Sequence, residues 1–349
     1  MAIFILIIGI SALILIHEFG HFVAAKMFGR WVEEFGIGFP PRLFGKKIGE
    51  TIYSVNALPF GGFVKIHGEK PELSNEDTPH REAREDVKPE RSFARLSVGK
   101  RAAIIVAGVV MNFLLGWFLF SLIYLVGTPN AIVVTGIAEG SPAASAGMLS
   151  GDEIIGFEAS EAFISAVRAA KGASFVLKFN RNGEEKEVTV VPRLDSPPGE
   201  GALGVSVTDI GSPKLPFFES IGKGFTTSFQ ILGAIFISIG NLAVGFLSGA
   251  PPLENFVGPV GIFEVANQTA QFGIIYLIQL IALISLNLAA LNLIPVPALD
   301  GGRLLFLAIE KVKGSPIPPQ REGIANAIGF GLLIILMVAI TVHDVVKLF

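Results

Sequence analysis

Residues 12–25 read ALILIHEFGHFVAA, which places two histidines and a glutamate inside a run apolar enough to cross a membrane. An ionisable side chain in hydrocarbon costs about 2.5–3.5 kcal/mol even on lenient insertion scales, so His17, Glu18 and His21 need something to compensate them. On a helix, positions i and i+4 share a face. His17 and His21 can therefore grip one metal ion while Glu18 is set to act on water as a general base. As a bare pattern H-E-x-x-H is often coincidence; inside a span, metal coordination offsets the desolvation, and the alternative is a polar knot between helices.

The rest of the chain fits that setting. Of 349 residues, 51% are hydrophobic and 16% charged, against roughly 25% charged in soluble domains. A net charge of -3 without a long basic tract gives no reason to expect nucleic acid. There are no cysteines, so any metal must take His, Asp or Glu ligands. Spans are expected at 2–27, 102–127, 274–294 (with the third helix carried to 298) and 324–342. The first lacks a basic leader and a clear cleavage site, so it reads as a span and not as a signal peptide. Residues 30–101 hold thirteen Lys and Arg and residues 128–273 hold eight. The former then lie on the cytoplasmic side, with the N-terminus and the middle of the chain outside.

Residues 48–68 read as a hairpin of two strands, Thr51–Ala57 and Gly62–His67, turning at Pro59, Phe60 and Gly61. It either lies on the membrane surface or dips into protein at membrane depth, where it would line a cavity. Residues 69–91 are dense in charge and read as a linker. Residues 131–194 read as a compact module: AIVVTGI and SFVLKFNRNGEEKEVTVVP alternate apolar and polar residues as strands do, with a hairpin turn at Asn182-Gly183, and between them lie a turn-rich connection and a helix over EAFISAVRAA. The order of elements, with Ser141, Pro142, Ala143, Ala144, Gly147, Gly151, Asp152 and Ile154, resembles bacterial PDZ domains. These capture peptides as an added strand; a filter over the membrane part is the other reading. Residues 218–248 carry too many polar groups for a clean span and are expected as interfacial amphipathic helices or a non-crossing pair.

A catalytic zinc takes three protein ligands and keeps one position open. His67, His80 and His343 lie in the hairpin, in the linker and far along the chain. Asp300, in LNLIPVPALDGGRLLF, ends an apolar helix that Pro295 and Pro297 would break, and Gly301 and Gly302 allow close backbone approach. His17 sits roughly 21 Å along its helix, so the span before Asp300 must run parallel to the first to reach the same depth.

H-E-F-G-H at 17–21, NLIPVPALDGG at 292–302, GGFVK at 61–65 and SVGKRAAIIVAGVVMNFLLG at 97–116 together resemble the site-2 protease family, bacterial regulated-intramembrane-proteolysis type, with a single PDZ domain. The resemblance implies Zn2+ held by His17, His21 and Asp300, Glu18 as base, and Asn292 on the substrate backbone. It also implies a membrane-reentrant β element pairing with the substrate through Thr51, Tyr53, Val55, Gly61, Gly62 and Phe63. Expected partners are the lipid bilayer and single-span membrane proteins of the anti-sigma factor or signal-peptide remnant type. The expected location is the bacterial inner membrane, with the active site toward the cytoplasm. The fold class is then an α-helical polytopic membrane protein of about four transmembrane helices, with a membrane-associated β-hairpin and an inserted α+β PDZ-like domain. Its divisions are 1–128 (N-terminal membrane region), 129–210 (PDZ-like), 211–273 (interfacial helices) and 274–349 (C-terminal membrane region). A cation transporter using the same cluster, or a peptide-binding scaffold with a dead site, are the competing readings.

Overall fold

A computed structural model describes residues 2–69, 89–181, 183–197, 199–249 and 257–348. In chain order its elements are α1 (Ala2–Met27), β1 (Val32–Ile48), β2 (Thr51–Ile66), α2 (Val98–Val126), β3 (Thr128–Ile137), α3 (Pro142–Ser145), β4 (Glu153–Ile155) and α4 (Ser160–Ala169). Then follow β5 (Phe175–Arg181), β6 (Glu184–Val190), β7 (Val205–Ser212), α5 (Phe217–Ser248), α6 (Pro259–Ala270), α7 (Ile274–Leu293), α8 (Asp300–Lys313) and α9 (Pro319–Leu348). Two compact units result, one of residues 1–120 with 224–349 and one of residues 121–223.

In the first unit, α1, α2 and α7 are apolar all round, and small residues let their backbones approach, as helix packing in lipid requires. A Cβ on Gly20 would stand 2.4 Å from the Ala107 carbonyl oxygen, and one on Gly116 would stand 2.6 Å from Leu286. Leu6 shares a buried cluster with Leu277 and Leu280, Gly9 faces Ile281, and His17 meets Asp300. Positions rise together in that series, so α1 and α7 run parallel. Ala25 clusters with Ile104, Gly20 faces Ala107 and His17 meets Asn112, so α2 runs antiparallel to both.

The expected hairpin is only part of a larger sheet. Residues 62–66 pair antiparallel with 32–37, and residues 51–55 pair both with 32–37 and with 44–48. Thr51–Ala57 and Gly62–His67 are therefore not partners of each other: the strand at 32–37 lies between them. The sequence hides it, because VEEFGIGFPPRLF breaks its alternation with two glycines and two prolines. The edge strand at 59–64 follows α1 closely. Ser11 Oγ donates to the Pro59 carbonyl at 3.0 Å, and a Cβ on Gly62 would lie 3.0 Å from Leu15.

Among the described residues five helices are long and apolar enough to cross a membrane, α5 being one besides the four spans expected. Over 211–273, where interfacial helices were expected, the described residues finish β7, then form the 32-residue α5 and the 12-residue α6. The third helix ends at Leu293 and not at 298, because Pro295 and Pro297 stop it. The second unit is a five-stranded antiparallel sheet in the order β6-β5-β4-β3-β7 over a core that includes Phe163, Phe179, Leu177 and Val134. Arg181 pairs with Glu184 across the β5–β6 turn and Gly183 takes φ +86°. Asn182 lies outside the described residues, as does most of the expected linker.

Candidate metal centre

α1 buries His17 and His21 on one face and holds Glu18 half-buried beside them. His17 is 6% and His21 7% exposed, and their rings meet edge to face at 4.8 Å. α8 brings Asp300 to them across 283 residues of chain: its Oδ2 lies 3.0 Å from His17 Nε2 and 3.3 Å from His21 Nε2, and the two Nε2 atoms are 3.2 Å apart. Among the described residues this is the one group of three such side chains whose ligand atoms gather closely enough to share an ion.

The donor set fits zinc. Tetrahedral zinc with N and O ligands at about 2.0–2.1 Å separates neighbouring ligand atoms by roughly 3.3 Å, close to the spacing found. The tautomers agree as well. His21 Nδ1 is 2.9 Å from the Ile104 carbonyl oxygen, which only accepts, so Nδ1 carries the proton and Nε2 keeps its lone pair for a metal. Room for the two rings comes from Gly108 on α2, where a Cβ would stand 2.5 Å from His21 Nε2 and 2.8 Å from His17 Cε1.

The loop 294–299 presents Asp300. It folds back on the first turn of α8, so a Cβ on Gly301 would stand 2.1 Å from the Ile294 carbonyl oxygen and one on Gly302 2.3 Å from that of Val296. Ala298 takes φ +79°, and its N–H donates to Asn326 Oδ1 of α9 at 3.0 Å.

Glu18 is anchored on one side: Val64 N–H of β2 donates to its Oε2 at 3.1 Å. The sequence-selected hairpin residues divide accordingly. Gly61 and Gly62 pack on Ile14 and Leu15 of α1, and Phe63 lies over Gly36. Thr51 is buried with its hydroxyl on the Val32 carbonyl, Tyr53 joins Phe22 and Phe35 in an aromatic cluster, and Val55 is exposed. Asn292 stands half-buried on the last turn of α7, with no side-chain hydrogen bond among the described residues. Of the other histidines, His67 pairs with Glu33 at 3.0 Å, and His80 lies outside the described residues.

Sequence reasoning singled out no residue of α2 for the site. Gly108 and Asn112, four apart on one helix face, were the signal, since a lone Asn in an apolar span needs a partner just as His17 does.

The model of peptidase family M50 matches residues 5–336. The zinc metalloprotease RasP of Geobacillus kaustophilus is 32% identical, over 99% of this chain and 97% of its own length. The protein of that name from Oceanobacillus iheyensis is 31% identical over 99% and 98%. The regulator of sigma-W protease RasP of Bacillus subtilis is 28% identical over 99% and 98%. With that match spanning nearly the whole chain and a zinc-shaped donor set whose two histidines stand on an apolar helix, the protein belongs to peptidase family M50, the site-2 proteases, and is a multi-pass membrane zinc metalloprotease.

Proposed function

We propose that His17, His21 and Asp300 hold the zinc, that Glu18 is the general base, and that the substrate is a single-span membrane protein cut within or beside its transmembrane segment. The observation that carries this is the convergence of three ligand atoms from α1 and α8 at 3.0–3.3 Å, beside a carboxylate already oriented by a sheet edge. Bound there, zinc supplies a Lewis acid that polarises a carbonyl and acidifies water. Glu18, held through Oε2 by Val64, keeps Oε1 to take a proton from the attacking water and pass it to the leaving amine. A transmembrane substrate must first unwind, because its peptide bonds are shielded by their own helix. The strand at 61–64 passes within one hydrogen bond of the base, which suits capture of an extended segment there. The free amide of Asn292 suits a hold on the substrate backbone. The relative named for sigma-W regulation supports a membrane-bound regulator as one such substrate.

The same reading gives a topology. α1 and α7 run one way and α2 the other, so the chain between α2 and α7 makes no net crossing even though α5 is long enough for one. The N-terminus and residues 130–212 then lie outside, and the sheet of β1 and β2 lies on the cytoplasmic side. The five-stranded unit is read as a single PDZ-like domain controlling access.

Glu18→Gln tests the assignment: zinc stays bound at one equivalent while cleavage of a reconstituted single-span substrate falls at least about 100-fold. Turnover by that variant near the wild-type rate removes Glu18 from the mechanism.

A further inference from the structure

Asn112 is fully buried on α2, beneath the metal centre. Its Nδ2 lies 3.1 Å from His17 Nδ1, and its Oδ1 is buried with no partner among the described residues. Ser285 of α7 donates to the Asn112 main-chain carbonyl at 2.8 Å, so the backbone at this point is fixed between two helices. A metal on His17 Nε2 does not tolerate the pairing of Asn112 Nδ2 with His17 Nδ1. If His17 Nε2 gives its lone pair to zinc and the ring is neutral, Nδ1 carries a proton, and an N–H would face an NH2 group. The two amide ends differ only by a half-turn about the terminal bond, and the hydrogen-bond network decides between them. Turning the amide puts Oδ1 on the Nδ1–H of His17, removes the donor-donor contact and gives the orphaned acceptor its partner. His17 then has the same arrangement as His21, whose Nδ1 faces the Ile104 carbonyl.

We infer that Asn112 is a positioning residue of the zinc site: its side-chain carbonyl accepts from His17 Nδ1 and thereby fixes the ring's tautomer and orientation for metal binding through Nε2. This rests on His17 being a ligand, and it assigns the second polar group that a metal-bound imidazole ordinarily needs.

Full-length protein in detergent or nanodiscs, loaded with zinc and titrated with a competing chelator, tests it. Asn112→Leu, which is close in size but has no acceptor, should weaken zinc binding by about 10- to 100-fold. Asn112→Asp restores an acceptor and should hold zinc within about threefold of wild type; a group that served as a donor to His17 could not be replaced this way. Co2+ loading gives a readout independent of turnover: the visible absorption of the tetrahedral ion should survive in Asn112→Asp and be altered in Asn112→Leu. Wild-type affinity in folded Asn112→Leu, or equal loss in both folded variants, overturns the inference. Because either variant can fail to fold, nitrogen-15 NMR of zinc-loaded protein lacking His67, His80 and His343 reads the tautomers directly. Both remaining imidazoles should carry their proton on Nδ1, and a His17 ring protonated on Nε2 rejects the role. His17→Ala in the same titration separates the two claims. Loss of zinc there, with none in Asn112→Leu, leaves the site standing and removes Asn112 from it.

Discussion

At the scale of single residues, the most exacting requirement on the centre is a side chain that is missing. Gly108 faces both histidines at distances where a Cβ could not stand, 2.5 Å and 2.8 Å. Alanine favours helix over glycine by about 0.8–1.0 kcal/mol, so Gly108→Ala should leave α2 at least as helical as before. The added methyl instead pushes the His21 ring off its position, and zinc occupancy and activity should both fall at least about tenfold with the helical content unchanged. Metal analysis beside far-ultraviolet circular dichroism checks this. Full occupancy in Gly108→Ala would mean that the rings do not lie against α2 as described. The spacing of His17 and His21 was legible in the sequence because their helix is continuous. Gly108 was not, because a glycine's significance depends on which neighbour faces it.

At the scale of elements, Asp300 is only as well placed as the loop before it. Ala298 is held in the left-handed region at φ +79°, a conformation that costs a non-glycine residue about 1–2 kcal/mol, and the side-chain Oδ1 of Asn326 is what its N–H meets there. Gly329, one turn further along α9, lets the Pro297 carbonyl approach to 2.3 Å from where a Cβ would sit. Asn326→Ala should therefore reduce zinc affinity several-fold, and adding Ala298→Gly, which relieves the strain, should recover part of the loss. Identical chelator titrations for wild type and Asn326→Ala would discard this coupling. Pro295 and Pro297 were readable as a helix break, and Asp300 after them as a candidate ligand, whereas Asn326 gave no local sign, because its place is set by packing of α9 on the loop.

Outside the membrane-spanning helices, the turn between β1 and β2 is tied to two elements by Glu50. Arg91 donates to it at 2.5 and 2.7 Å, and Lys26, at the end of α1, donates at 2.9 Å. The Arg91 guanidinium, with Lys26 after it, holds the Glu50 carboxyl down to about 2. A carboxyl depressed in the folded state stabilises it above the unfolded value near 4.3, and that contribution is lost as pH falls from there through about 2. With Glu50 39% exposed, solvent and salt screen the pair, so the contribution stays within roughly 1 kcal/mol. Glu50→Gln should lower the melting temperature slightly at pH 7, and the difference from wild type should vanish toward pH 2 and shrink at high salt. A difference independent of pH between 7 and 2 would show that the charge plays no part.

At the scale of the whole molecule, the topology proposed above expects residues 32–69 and residues 130–212 to label from opposite sides of the membrane. The chain has no cysteine, so single introduced cysteines report cleanly. One at Lys46 should react with an impermeant thiol reagent only after the cytoplasmic face is opened, and one at Lys186 should react in intact cells. The reverse pattern inverts the protein, and labelling of both in intact cells breaks the topology. Composition made the membrane class legible, and the tally of positive charge gave the orientation proposed. The extent of the sheet and the continuity of α5 were not readable. The strand at 32–37 pairs on both sides with two different parts of the following β2, which no local alternation marks, and the polar positions of α5 do not interrupt its helix.

The central claim is that one zinc joins α1 to α8 through two imidazoles and a carboxylate. X-ray absorption at the zinc edge tests it most directly. The wild-type spectrum should fit two imidazole nitrogens and light oxygen ligands at about 2.0–2.1 Å, with no sulfur, and Asp300→Ala should lose an oxygen or lose the metal altogether. An unchanged zinc spectrum at full occupancy in Asp300→Ala would contradict the account.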